Sequence, residues 1–358
     1  MRYFYFSIFF VILLLIFGLL FYFNRQFLKF SENAISADLQ ANLLAIKDNE
    51  IRIKNNLSEE KPINLLFVGD IMLDRGVGSV VSNYNNYRYP FLKTFEILET
   101  ADLTFGNLEG SISKNGKKQG SIYSFRFDPV ALEGLKFAGF DVLSLANNHI
   151  LDYGREAMEN TISILKENNI VPIGAGKNQF EANNPIISEI NNTKIAFLAY
   201  ADMNPKGFEA GENYSGISSF ELEQVINKIK EIKTLGVADI VIISFHWGEE
   251  YENRSNKNQQ KLGRALAEAG ADLIIGHHPH VVQEVELYPS SPSAASEGRS
   301  KNSWIAYSLG NFIFDQNFSK ETMKGLMIKA KIQNKKIVEI EPIEIKINDS
   351  FQPEAISL

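Results

Sequence analysis

All five histidines of the chain, His149, His246, His277, His278 and His280, fall just after short apolar runs that read as β-strands. Histidines scattered through a core have no reason to share strand-end positions, whereas loops at one edge of a sheet are where sites are assembled. Carboxylates and amides stand at matching places: Asp70 after Gly69, Asn107 and Glu109 around Leu108, and Asn147 and Asn148 ahead of His149. His278 and His280 are separated only by Pro279, so one turn can aim both rings into a small volume. Imidazole nitrogens, carboxylate oxygens and an amide oxygen form a donor set for one or two divalent ions, with Zn, Mn and Fe all suited. Such ions acidify a water and neutralise charge developing on a reacting anion. The pattern reads as a metal site with hydrolysis within its reach.

The chain has no cysteine, so thiolate ligands, thiol nucleophiles and disulfides are excluded. A formal net charge of −7 argues against a nucleic-acid partner, which needs a basic face. An anionic substrate must then be held by local positive charge, for which Arg75 and Arg126 are candidates, with Trp247 and Tyr251 as candidate walls. At 358 residues and 45% hydrophobic content the chain can bury a sizeable core.

The elements that must position these residues alternate along the chain. Residues 63–68 read as a buried strand, 91–98 as a helix, 103–105 as a strand, 129–138 as a helix with Pro129 in its first turn, 142–145 as a strand and 155–166 as a helix. Residues 186–190 and 195–200 pair through a turn at Asn191 and Asn192. A helix over 222–232, a strand over 240–245 delivering His246, a helix over 259–269 and a strand over 273–275 follow. The last third reads as strands over 281–287, 304–309, 326–332 and 337–347, with Pro342 marking an edge or a break. Between Tyr288 and Trp304 a Ser- and Pro-rich stretch reads as a solvated loop. Strands alternating with helices, then strands alone, give a mixed α/β sandwich rather than a purely parallel sheet.

Residues 3–23 are apolar and aromatic except for Ser7 and Gly18. As a helix this run spans about 30 Å, the thickness of a bilayer core. It lacks the small-residue cleavage site of a secretory signal, so residues 1–24 are expected to anchor the protein in the cell membrane with a single pass. Residues 25–60 read as a polar helical stalk and 61–358 as the folded domain. Arg2 on one side and Arg25 and Lys29 on the other nearly balance, so charge alone leaves the orientation open.

The ordered motifs are Gly69-Asp70-Ile71-Met72-Leu73, Asn107-Leu108-Glu109-Gly110, Leu145 to His149 with Asp152-Tyr153-Gly154, His246-Trp247-Gly248, Gly276 to Val281, and Tyr307 to Phe312. Together they resemble the CapA family of poly-γ-glutamate capsule biosynthesis proteins, itself similar to calcineurin-like metallophosphoesterases. The resemblance covers residues 63–315. It implies a four-layer αββα sandwich with a two-metal centre at one end of the sheets, held outside the cytoplasm. It makes Asp70 a ligand of the first metal, Glu109 the bridging carboxylate, and Asn148 and His246 ligands of the second. His149 becomes the general acid or oxyanion stabiliser. His278 and His280 become the His-x-His pair, with His277 an alternative to His278 or a substrate contact. The partners it implies are the membrane, poly-γ-glutamate and subunits of a capsule synthase or export complex.

One departure stands out. Phosphoesterases commonly read Asp-x-His at the first strand end, and here Met72 fills the second ligand position. Asp74 is a candidate replacement, although it reads better as a helix-start residue. Two functions follow: a metal-dependent hydrolase of a phosphoester or related anionic bond, with an amide bond as a variant, or a non-catalytic subunit that binds the polymer in its metal-lined cleft.

Overall fold

Strand β1, Ile63–Ile71, shows how the sequence builds the molecule. Side chains alternate across a strand. Ile63, Leu65 and Phe67 enter one apolar cluster, and Leu66 and Val68 enter another on the opposite face. A strand buried on both faces needs a layer on each side, and both are present. In the computed structural model the described residues are 61–202, 206–289 and 302–356, and they belong to one compact unit, Lys61–Leu358. The expected membrane segment over 3–23, the stalk over 25–60 and most of the expected loop between Tyr288 and Trp304 lie outside the described residues. Among the described residues no helix is long and apolar enough to cross a membrane.

The strands that matter for the site are β1, β2 (Leu103–Leu108), β3 (Phe140–Ser144), β4 (Val171–Ile173), β5 (Ile186–Ile190), β6 (Thr193–Ala201), β7 (Ile240–His246), β8 (Leu273–His277), β9 (Val285–Pro289), β10 (Asn302–Ala306), β11 (Asn311–Ile313), β12 (Lys324–Gln333), β13 (Lys336–Ile347) and β14 (Pro353–Ala355). They form two large sheets among the described residues. The first runs β14-β13-β12-β1-β2-β3-β4, with β11 pairing the end of β1. The second runs β9-β10-β8-β7-β6-β5. Strands β1 to β4 are mutually parallel, as are β6, β7, β8 and β10, with antiparallel strands at the margins.

Between the sheets, Leu65, Phe67 and Phe105 of the first meet Phe197, Ile242 and Ile275 of the second in one cluster. The outer face of the first sheet is covered by helices α1 (Arg75–Tyr84) and α2 (Gly154–Glu167), whose Val77, Val81, Met158, Ile162 and Leu165 are buried there. The outer face of the second is covered by α3 (Leu222–Thr234) and α4 (Lys257–Ala269). In α3 the buried Val225, Ile229 and Ile232 recur at helical spacing. Helix α4 opens with a reciprocal Asn256–Gln259 capping box and stops at Gly270, whose φ is 116°. The fold is a mixed α/β arrangement of two packed sheets, as expected.

Three expected elements change. The helix over 91–98 is broken into a 3-10 turn, Tyr89–Phe91, and a short helix, Phe95–Leu98. Thr94 Oγ1 donates to the Phe91 carbonyl at 3.3 Å, offering the backbone an alternative to a continuous ladder. The strand over 281–287 begins only at Val285, because Val282 makes an isolated bridge to Leu309 and the Gln283 amide donates to the Ser308 carbonyl. The strand over 304–309 ends at Ala306, after which the chain turns through Gly310 at φ 66°. Pro342 does not break β13. It sits opposite Ile328 on one side, beyond the stretch that β14 covers on the other, where its missing N–H is harmless.

Candidate metal centre

The C-terminal ends of the parallel strands in both sheets carry the chemistry, and register sets the neighbours. Asp70 of β1 pairs with Asn107 of β2 and with Asn311 of β11. His246 of β7 pairs with Ala201 of β6 and His277 of β8. The turns beyond these ends bring Glu109, His149, His278 and His280 to the same place. Ligand atoms of Asp70, Glu109 and His246 lie within 4.8 Å of one another, and so do those of Glu250, His278 and His280.

The distances describe a convergent set. His280 Nδ1 is 3.3 Å from Asp70 Oδ2 and its Nε2 is 3.5 Å from Glu109 Oε1. His246 Nε2 and Asn148 Oδ1 are 2.9 Å apart. The rings of His246 and His278 have centroids 4.8 Å apart. His149 Nε2 reaches to 3.7 Å from Glu109 Oε1, while its Nδ1 is 2.8 Å from Asp152 Oδ2. Asp152 Oδ2 also accepts from the Phe125 amide, so the carboxylate that holds the His149 ring is itself held.

Two ligand positions have backbones in the left-handed region: His278 at φ 97° and His280 at φ 57°. Non-glycine residues are held there only where the surroundings over-determine them, and such strain gathers at functional sites. It lets alternate residues of one turn point their rings into the same space.

The donor set fits a divalent ion. Glu109 Oε1 and His278 Nδ1 are buried without a hydrogen-bond partner. Buried polar atoms are seldom left so, and an ion is a sufficient explanation of both. Burial holds the Glu109 carboxyl well above the usual carboxylate range, an effect that Asp70 and Glu250 reinforce. Burial also pushes His278 down to about 3, helped by His280, and holds His246 well below the usual imidazole range, helped by His278. Both rings are thus neutral and have lone pairs to give. Burial works against Asp70 and His280 in the opposite sense but loses. The imidazoles of His277 and His280 hold Asp70 well below its usual range, and Glu109 and Asp70 raise His280 to about 9.

Residues 64–316 match the family described as bacterial capsule synthesis protein PGA_cap. The chain belongs to that family. Among PGA_cap relatives, it is 32% identical to capsule biosynthesis protein CapA of Bacillus anthracis over 80% of this chain and 69% of that protein. It is 35% identical to PGA biosynthesis protein CapA of Bacillus subtilis (strain 168) over 78% of this chain and 70% of that one. The structure is also similar to a 5'-nucleotidase precursor from Thermus thermophilus, with a TM-score of 0.50 and 9% identity, covering 82% of this chain and 56% of that chain. That likeness concerns the fold alone.

The structure of this PGA_cap protein separates the other candidates. Arg75 lines a cavity of about 150 Å³ at the mouth of the cluster, together with Tyr123, Phe125, His149, Tyr251, His280 and Phe318. Its guanidinium is paired with Asp315 and lies 5.2 Å from the Phe125 ring centroid. Arg126 is placed otherwise than expected. Its guanidinium stacks 4.2 Å over Tyr153 and donates to the carbonyls of Asn115 and Gly116, contacts that hold its own loop. His277 is also corrected as a substrate contact: it is fully buried, with Nδ1 3.2 Å from Asp70 Oδ1, behind the ligands. Trp247 is core, its Nε1 donating to the Tyr307 carbonyl at 2.8 Å. Asp74 caps α1 with one carboxylate oxygen and accepts from the Arg126 amide with the other, which settles it as a helix start.

Three residues at the centre do work that the sequence did not assign to them. Asn107 is a hub: its amide nitrogen is 2.8 Å from Asp70 Oδ1, and its oxygen accepts from Asn147 at 3.1 Å. Asp152 and Asn311 orient His149 and His280. Both lay inside recognised motifs, so the signal was present, but their roles depend on which loop faces which.

Proposed function

We propose that this protein is a membrane-anchored, extracytoplasmic hydrolase that uses one or two divalent ions to cleave a phosphoester or related anionic bond in poly-γ-glutamate capsule biosynthesis. Asp70, Glu109, Asn148, His246, His278 and His280 would hold the metal. When bound, the metal supplies Lewis-acid polarisation and an acidified water. The stacking of helices, sheet, sheet and helices is then the four-layer αββα sandwich of metallophosphoesterases. The capsule role is supported by the family and by the names of the Bacillus relatives.

The observation that carries the catalytic reading is the Asp152–His149 pair at the rim of the ligand cluster. His149 is 9% exposed, lines the mouth cavity, and has its Nδ1 engaged by Asp152. The Asp152 carboxylate fixes the ring so that Nε2 faces the centre, in position to give a proton to a leaving group or steady an oxyanion. A phosphodiester assay on the Mn²⁺-reconstituted full chain tests this. His149→Ala is expected to lower kcat by about a hundredfold or more with metal content retained, and His246→Ala to lose metal and activity together. Full activity in both variants would remove the hydrolase reading.

A second reading, a non-catalytic polymer-binding subunit, is favoured by Met72, which leaves the first metal position short of a ligand. A metal-loaded chain that binds poly-γ-glutamate and turns over neither esters nor amides would support it. Membrane topology is tested separately: a C-terminal periplasmic reporter that stays inactive would refute the extracytoplasmic placement.

A further inference from the structure

Met72 is fully buried in the apolar cluster beneath the first sheet, and its sulfur accepts from the Asp74 amide at 3.1 Å. The thioether is turned into the core and engaged there, so Asp70, Glu109 and His280 are left one protein ligand short. We propose that Glu250 fills the missing place as a metal ligand. This rests on the metal-centre reading above and deepens it.

The geometry points to this residue from three directions. A carboxylate oxygen of Glu250 lies within 4.8 Å of ligand nitrogens of both His278 and His280. The loop that carries it is stitched to the histidine turn, because the Tyr251 amide donates to the Pro279 carbonyl at 2.8 Å. That loop also bends through left-handed conformations at Gly248, φ 90°, and at Tyr251, φ 68°, the latter a strained choice for an aromatic residue. The neighbouring His278 is itself buried, and its Nδ1 has no hydrogen-bond partner. Finally, Asp70 and Glu250 both press their negative charge on the Glu109 carboxyl, while Arg75 of the same mouth is engaged by Asp315. A cation among them removes the mutual repulsion.

The change in ligand has a chemical consequence. Replacing an imidazole by a third carboxylate makes this position richer in oxygen, which favours Mn²⁺ over softer ions.

The test counts Mn²⁺ bound to the full chain after chelator stripping and equilibrium titration, reading free Mn²⁺ by electron paramagnetic resonance. Glu250→Gln is expected to weaken one Mn²⁺ at least tenfold and leave any other unchanged, while Glu249→Gln matches the parent. Glu250→His, which restores a donor without the charge, is expected to recover binding. Unchanged stoichiometry and affinity in Glu250→Gln would overturn the proposal. So would an equal weakening of every bound ion that Glu250→His fails to reverse, since that is the signature of distant charge. A parent chain that binds no Mn²⁺ would overturn the metal centre itself, and Glu250 with it.

Discussion

Asn311 Oδ1 sits 3.0 Å from His280 Nδ1, and the same amide donates through its nitrogen to Gln316 Oε1 at 3.1 Å and to the Thr322 carbonyl at 3.0 Å. With its nitrogen so engaged, the Asn311 amide cannot flip, and its oxygen must accept from the ring. When neutral, His280 therefore keeps its proton on Nδ1 and turns Nε2 toward Glu109. Outer-shell partners of this kind commonly govern metal affinity by 10- to 100-fold.

Asn311→Ala is therefore expected to weaken metal binding by about tenfold or more while the fold persists. The measurement is a Mn²⁺ titration beside a far-ultraviolet circular dichroism spectrum. Unchanged affinity would mean that Asp70 alone orients the ring.

Metal binding should also depend on pH in a defined sense. Glu109 and Asp70 raise His280 to about 9, and burial holds the Glu109 proton well above the usual range. An incoming ion must displace these protons, so affinity rises with pH, by about tenfold per unit for each proton released. For His280 the rise levels off above about pH 9, where the metal-free ring is already neutral. Isothermal titration in buffers of different ionisation enthalpy counts the protons, and a profile flat from pH 6.5 to 9 would contradict the assignment.

The last expectation concerns the frame rather than the ligands. A Cβ on Gly276 would stand 1.9 Å from the Tyr307 carbonyl oxygen and 2.6 Å from Trp247 Nε1. It would wedge apart the hydrogen bond that joins those two residues, just before His277 and the turn that carries His278 and His280. Neither backbone nor a packed indole can step aside cheaply, so Gly276→Ala should destabilise the metal-free chain by about 3 kcal/mol or more in urea. Near-wild-type stability would show that β8 shifts freely.

Much of the centre was legible in the sequence because strands announce themselves by apolar runs, and the residues just past a strand's C-terminal end in an α/β sheet lie at its working edge. That logic located Asp70, Glu109, Asn148, His149, His246, His278 and His280 without coordinates. It failed wherever the role of a residue depends on a partner far along the chain. Arg126 reads as a free cation until Tyr153 is seen beneath it. His277 reads like its neighbours until its ring is seen fully buried beside Phe105, with Nδ1 against Asp70. The partnership of Asn311 with His280 arises from the pairing of β11 with β1, which no local pattern encodes. Glu250 carries no local sign either, since an acidic residue in a loop is ordinarily just solvated.

The ligands are divided between the two sheets. Asp70 and Glu109 extend from the first, and His246, His278 and His280 from the second. Any ion held by both groups is a cross-link between the two sheets, added to the greasy seam between them and to the Asn311–His280 contact. The centre cannot exist in a partly folded chain with only one sheet formed, so loading reports that the halves have docked. Conversely, stripping the ion should loosen the seam first at this edge, where hydrogen exchange of the Phe245 and Gly276 amides would register the parting.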